Sequence, residues 1–225
     1  MKTMKTSKTS FLCMLISCVL LSTKAQGTLK NLDFEQATIV PLDLSQQFYS
    51  ASNALPYWTV YFGNSPVNYV LYDNVTIGSP AVSIHDSLSA LQPLQGNYSV
   101  VLQHSSGGPP TSAAIGQTGQ LPQDVASIVF YVASYQTLQV TFAGNSISLV
   151  QLGTTASYSI YGGDIATYAG QTGELLFTDI ASTSQPMMLD SIQFSTQPIP
   201  EPSVFGLLAL SGLLFCLRRQ RNSAR

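Results

Sequence analysis

Between Asn31 and Pro200 the chain carries ten carboxylates and two histidines but no lysine or arginine. All nine basic residues lie towards the ends, Lys2 through Lys30 and Arg218 through Arg225. A formal net charge of -2 therefore conceals a central stretch at -10, from ten acids and no cation. Carboxylates without cationic partners serve either as solvated surface charge or as hard oxygen ligands for a divalent cation such as calcium. The same imbalance excludes nucleic acid as a partner, because phosphate binding relies on cations that displace counterions. Cys13, Cys18 and Cys216 all fall near the termini, so the central region has no disulfide framework, thiol nucleophile or Cys-based zinc site.

Catalytic patterns are sparse. A glycosidase needs two carboxylates at a defined separation, but ten acids make some pair inevitable, so their presence decides nothing. There is no Gly-x-Ser-x-Gly elbow, no His-x-x-x-His pair and, between Asn31 and Pro200, no lysine for a phosphate loop. His85 and His104 are the only histidines. His85-Asp86 suggests an oriented base, yet neighbours on a strand point to opposite faces. These residues predict a non-catalytic protein. Sugar binding would need exposed aromatic platforms beside amides and carboxylates; Tyr57, Trp58, Tyr61, Tyr69 and Tyr72 are the candidates, with Asn64, Asn68 and Asp73 close by. The alternative for these aromatics is core packing.

The elements that must position these groups are strands. Short runs rich in β-branched and aromatic residues, separated by Gly, Pro, Asn and Ser, occur at 57–62, 67–72, 81–85, 98–103, 128–133, 138–142, 147–152, 157–161, 174–178 and 188–194. No segment outside the termini sustains a 3.6-residue apolar period. The pattern predicts an all-β, two-sheet jelly-roll sandwich over residues 26–197, a length suited to one domain.

Both ends read as targeting signals. Lys2, Lys5 and Lys8 precede an apolar run at 11–21, and Thr23-Lys24-Ala25 supplies small residues for signal peptidase, which predicts a signal helix in residues 1–25. Leu15-Ile16-Ser17-Cys18 offers the competing lipobox, with Cys18 as a lipidated N-terminus. At the other end, residues 198–225 combine Pro200-Glu201-Pro202-Ser203, an apolar run at 204–217 and the basic cluster Arg218, Arg219 and Arg221. Prolines isolate the run from what precedes it, and its arginines set a cytoplasmic end. Its 14 residues make a short transmembrane helix, below the roughly 20 of a comfortable span. This tail resembles the PEP-CTERM sorting signal of bacterial surface proteins. The resemblance implies recognition by exosortase, transient residence in the inner membrane, and delivery to the outer surface or extracellular matrix; an ordinary C-terminal anchor is the alternative. In a bacterium the sequons at Asn74 and Asn97 are chance matches.

A second resemblance concerns the central domain. Asn31-Leu32-Asp33-Phe34-Glu35, followed by Pro56-Tyr57-Trp58, is similar to the opening strand of extracellular carbohydrate-binding jelly rolls, with Tyr57 where glycine is usual. Met188-Leu189-Asp190-Ser191-Ile192-Gln193-Phe194 resembles their last strand. The resemblance implies a structural calcium held by Glu35 and Asp190, against the alternative of two exposed strand-end carboxylates. The combined expectation is an exported, non-catalytic protein, adhesive or glycan-binding and associated with exopolysaccharide. The alternatives are a secreted polysaccharide-degrading enzyme and a purely structural matrix protein.

Overall fold

The computed structural model describes residues 27–42, 47–106, 109–133, 138–180 and 185–199. The signal segment expected over 1–25 and the sorting motif (Pro200, Glu201, Pro202, Ser203, Arg218, Arg219 and Arg221) lie outside the described residues. Among the described residues no helix is long and apolar enough to cross a membrane.

Among the described residues fourteen strands follow one another: β1 (Tyr49–Ser50), β2 (Thr59–Phe62), β3 (Ser65–Val67), β4 (Tyr69–Tyr72), β5 (Ala81–His85), β6 (Ser99–Gln103), β7 (Ala113–Gln120), β8 (Ser127–Ala133), β9 (Leu138–Phe142), β10 (Asn145–Ser146), β11 (Leu149–Thr154), β12 (Ser159–Asp164), β13 (Thr172–Asp179) and β14 (Met187–Ser195). They form an eight-stranded sheet, β1-β4-β5-β6-β14-β8-β12-β11, and a six-stranded sheet, β10-β9-β13-β7-β2-β3. Pairing is antiparallel except between β4 and β5. The sheets pack face to face around one core, because alternate residues on both are apolar. On β9, Leu138, Val140 and Phe142 are buried while Gln139 is exposed. Phe130 of β8 meets Phe177 of β13 edge-on at 5.3 Å, joining the two sheets.

Three local expectations are corrected. The run expected as one strand at 67–72 divides at Asn68: β3 pairs with β2 in one sheet, and β4 pairs with β1 and β5 in the other. Strand β7 has the sequence Ala-Ala-Ile-Gly-Gln-Thr-Gly-Gln, too poor in β-branched and aromatic residues to stand out, yet it pairs along its whole length with β13. Residues 31–35, expected as the opening strand, form turns and a bend instead, with Asn31 (φ 50°) and Phe34 (φ 60°) in the left-handed region.

Strands β5 and β6 are buried along their entire length. Val82, Ile84, Val100 and Leu102 face the inter-sheet core. Val101 and Met188 instead line a pocket beneath residues 90–94, so the long connection between β5 and β6 covers part of the outer face of the larger sheet.

Candidate functional site

Strand β14 carries a bulge. Asp190 pairs with Tyr131 but Gln193 pairs with Val129, so one extra residue is accommodated, and Ser191 sits at φ 51°. A bulge redirects a side chain. Here it turns Asp190 towards residues 95–99, where Asp190 Oδ2 accepts hydrogen bonds from Gln95 N (3.0 Å) and Ser99 Oγ (2.6 Å) and Oδ1 accepts from Ser191 N. Glu35 reaches the same segment: Oε1 accepts from Asn97 N (2.7 Å) and Tyr98 N (3.0 Å), and Oε2 from Asn97 Nδ2 (2.7 Å). Both carboxylates line one cavity of about 690 Å³.

The left-handed residues around this cavity are held by specific contacts. Trp58 donates its indole N–H to Asn31 O (2.9 Å), and its ring packs against Phe34 and Phe177. Asn31 Oδ1 accepts from Gln36 N (3.0 Å), and Leu32 O accepts from Ile192 N (2.9 Å) beside the bulge. The Asn-x-x-Phe-Glu motif is thus a folded hook pinned by a core tryptophan. Strained backbone of this kind persists only where its surroundings over-determine it.

Burial pushes the Asp190 carboxyl up to about 6 and the charge of Glu35 adds to the rise, against hydrogen bonds from Ser99, Gln95 and Ser191. A buried carboxylate with an acidic neighbour and no cation is an electrostatic deficit that a divalent ion would relieve. The donors suit a hard cation. Glu35 accepts three hydrogen bonds, and Asp190 four once Ser191 Oγ (3.4 Å) is included, so few of their lone-pair positions remain and the remaining ligands would be carbonyls and water. Among the described residues no group of three or more His, Cys, Asp or Glu side chains is placed to hold a metal.

The five aromatic candidates do not form one platform. Trp58 is buried, which removes it from any surface site. Tyr57 is exposed at a turn, with the Lys30 ammonium 5.1 Å from its ring centre. Tyr69 lies against Phe48 and Phe62, and Tyr72 against Tyr49. Both are on β4, three residues apart and so on opposite faces of the larger sheet, whereas Tyr61 is on β2 of the smaller one. Tyr61 alone points from β2 onto the outer face of the six-stranded sheet, where a groove of about 430 Å³ includes Asn64, Ala114, Gln139, Glu174 and Thr178. Its hydroxyl donates to Glu174 Oε1 (2.8 Å) across the intervening β7. Gly116 makes that reach feasible: a Cβ there would lie 2.6 Å from Glu174 Oε1. Burial and the Glu174 carboxylate raise the Tyr61 phenol above its usual range. Sequence patterns missed Glu174, Gln139 and Gly116, since their strands had not been aligned; the small residues of β7 were the available signal.

A third cluster surrounds His85. Its Nδ1 lies 2.6 Å from Ser89 Oγ and 3.9 Å from Asp73 Oδ1. Burial pushes the imidazole down to about 4. Asp86 turns away, accepting from Tyr72 Oη and Leu88 N, and its own N–H donates to Asp73. Ser89 and Asp73 both meet Nδ1, whereas a nucleophile relay needs them on opposite ring nitrogens. His85 Nε2 is buried without a hydrogen-bond partner among the described residues. His104 is buried too, its Nδ1 beside Ser105 O at 2.6 Å.

No family model matches this chain, and neither does any curated protein. Among solved structures it is similar to the enzymatically active domain of tailspike protein 4 of bacteriophage CBA120, at 12% identity and a TM-score of 0.43. That alignment covers 75% of this chain and 21% of the other, so the chain spans about a fifth of the tailspike chain's length.

Proposed function

We propose that this chain is an exported β-sandwich of jelly-roll type that binds glycan without catalysis at a bacterial surface or in the extracellular matrix. The supporting observation is the groove beside Tyr61 and Glu174. An aromatic ring, a carboxylate and the amides of Asn64 and Gln139 surround a floor of small residues, the mixture of flat apolar and directional polar groups that a sugar ring presents in turn. Delivery would follow the termini: removal of residues 1–25 by signal peptidase, transient insertion of the C-terminal run in the inner membrane, and exosortase acting at Pro200-Glu201-Pro202. Glu35 and Asp190, with carbonyls and water, would hold a structural calcium that fixes residues 95–99.

The test is retention of the full chain, in mild detergent, on a panel of immobilised polysaccharides. Wild-type protein is expected to be retained and Tyr61→Ala to elute early. Failure of every polymer to retain the wild type overturns glycan binding, and release of new reducing ends would make the protein an enzyme. For sorting, Glu201→Ala should leave uncleaved protein in the membrane; normal release overturns that part alone.

A further inference from the structure

The chemistry of the same groove narrows the kind of glycan it takes. Of the described residues only Lys30 is a lysine or arginine, and its ammonium stands over the Tyr57 ring. The groove therefore has no cation with which to neutralise a uronate or a sulfate. Its charged group is Glu174, on the outer face of β13, where its Oε2 accepts no hydrogen bond among the described residues. Tyr61 directs its only hydrogen to Glu174 Oε1, which leaves the phenol with acceptor capacity alone. Glu174 Oε2 and the Tyr61 oxygen are thus both left as acceptors, and a ligand group rich in donors is their complement.

We infer that the groove selects a glycan bearing free amino groups, with Glu174 receiving a sugar ammonium and Tyr61 stacking on the adjoining ring. This rests on the glycan reading above and specifies its substrate class. An ammonium offers three donors and no acceptor. Its bond to a carboxylate is charge-assisted and stronger than one between neutral groups. An anionic polymer would bring like charge against Glu174, which disfavours the wrong partner. The surrounding stretch of charge -10 acts in the same direction at longer range, drawing cationic chains towards the surface.

The experiment compares one β-linked amino-sugar polymer in fully N-acetylated and partly de-N-acetylated forms, with a neutral glucan and a polyuronate, against the full chain in mild detergent. The amine-bearing form is expected to bind about tenfold more tightly than its acetylated counterpart, the ratio that about 1.4 kcal/mol supplies. Re-acetylation of the same sample should abolish the difference without any change to the protein. Glu174→Gln should remove the preference, read as the ratio of the two polymers' affinities falling to about one. Asp164→Asn, which deletes an exposed acid on the other sheet, should keep it. Equal affinity for the two forms overturns the amine assignment and leaves glycan binding standing, as does a preference that Glu174→Gln fails to reduce. Binding to none of the polymers overturns both.

Discussion

Glu35 and Asp190, 155 positions apart in the chain, grip the same short segment: Asp190 accepts from Gln95 and Ser99, and Glu35 from Asn97 and Tyr98 between them. The two acids come from different structures, a hook at residues 31–36 and a bulge on β14. Their shared target ties the start of the domain to its last strand through the segment that leads into β6. Any change that loosens this grip should therefore lower the stability of the whole sandwich rather than of one loop.

Gly96 lies between the gripped residues at φ +67°, and a Cβ there would stand 2.2 Å from Glu35 Oε1. Gly96→Ala combines the penalty of a left-handed alanine with displacement of a carboxylate that accepts three hydrogen bonds. A loss of about 2 kcal/mol or more is expected, read as a lower urea midpoint with an unchanged slope.

The cation assignment predicts a melting temperature that depends on calcium. At about a hundred times the dissociation constant the expected gain is about 2.7 kcal/mol, and a chelator should reverse it. Asp190→Asn should abolish the dependence. Identical melting curves in calcium and chelator at neutral pH would remove the metal from this site.

Trp58 tests the hook from the core side. Trp58→Phe retains an aromatic ring but leaves Asn31 O without its indole donor, at a cost of about 1–3 kcal/mol. Trp58→Ala also opens a cavity against Phe34 and Phe177 and should cost about 3–5 kcal/mol. Neither substitution should alter glycan retention directly, because the ring is buried; loss of retention by folded Trp58→Phe at low temperature would contradict that separation.

How far the sequence revealed this arrangement depends on which interactions it encodes locally. Alternation exposed β9 from Leu138-Gln139-Val140-Thr141-Phe142, and the apolar runs of β5, β6 and β8 marked the core. Glu35 and Asp190 were found through short motifs whose residues act together in the fold. Composition hides β7, since Gly116 and Gly119 have no β propensity and their function is to admit neighbours' side chains. The division at Asn68 was equally hidden, because residues 65–67 and 69–72 carry comparable strand signals and only their partners differ. That division also puts Tyr61 on a different sheet from Tyr69 and Tyr72.

His85 and Asp190 should oppose one another in pH. Asp190 rises from an ordinary 3.8 to about 6, so the folded state binds more protons than the unfolded chain between those values. Its contribution is fully present below pH 3.8 and is lost as pH rises through about 6, a span worth on the order of 3 kcal/mol in the absence of metal. His85 falls from 6.5 to about 4, so here the unfolded chain binds more protons, and stability present above pH 6.5 is lost as pH falls through about 4. The shift of Asp73 is upward and that of Asp86 downward, so this neighbouring pair offsets itself in direction. With chelator present, the wild type should show a shallow dependence of melting temperature between about pH 4 and 6, because the two slopes act against each other. Asp190→Asn removes the falling slope and should leave a protein that gains stability as pH rises through that window. His85→Gln removes the rising slope and should leave one that loses it. Divergence of the two variants in opposite directions from the wild type is the expected result. Parallel profiles for all three proteins would mean that neither buried group governs the response to acid.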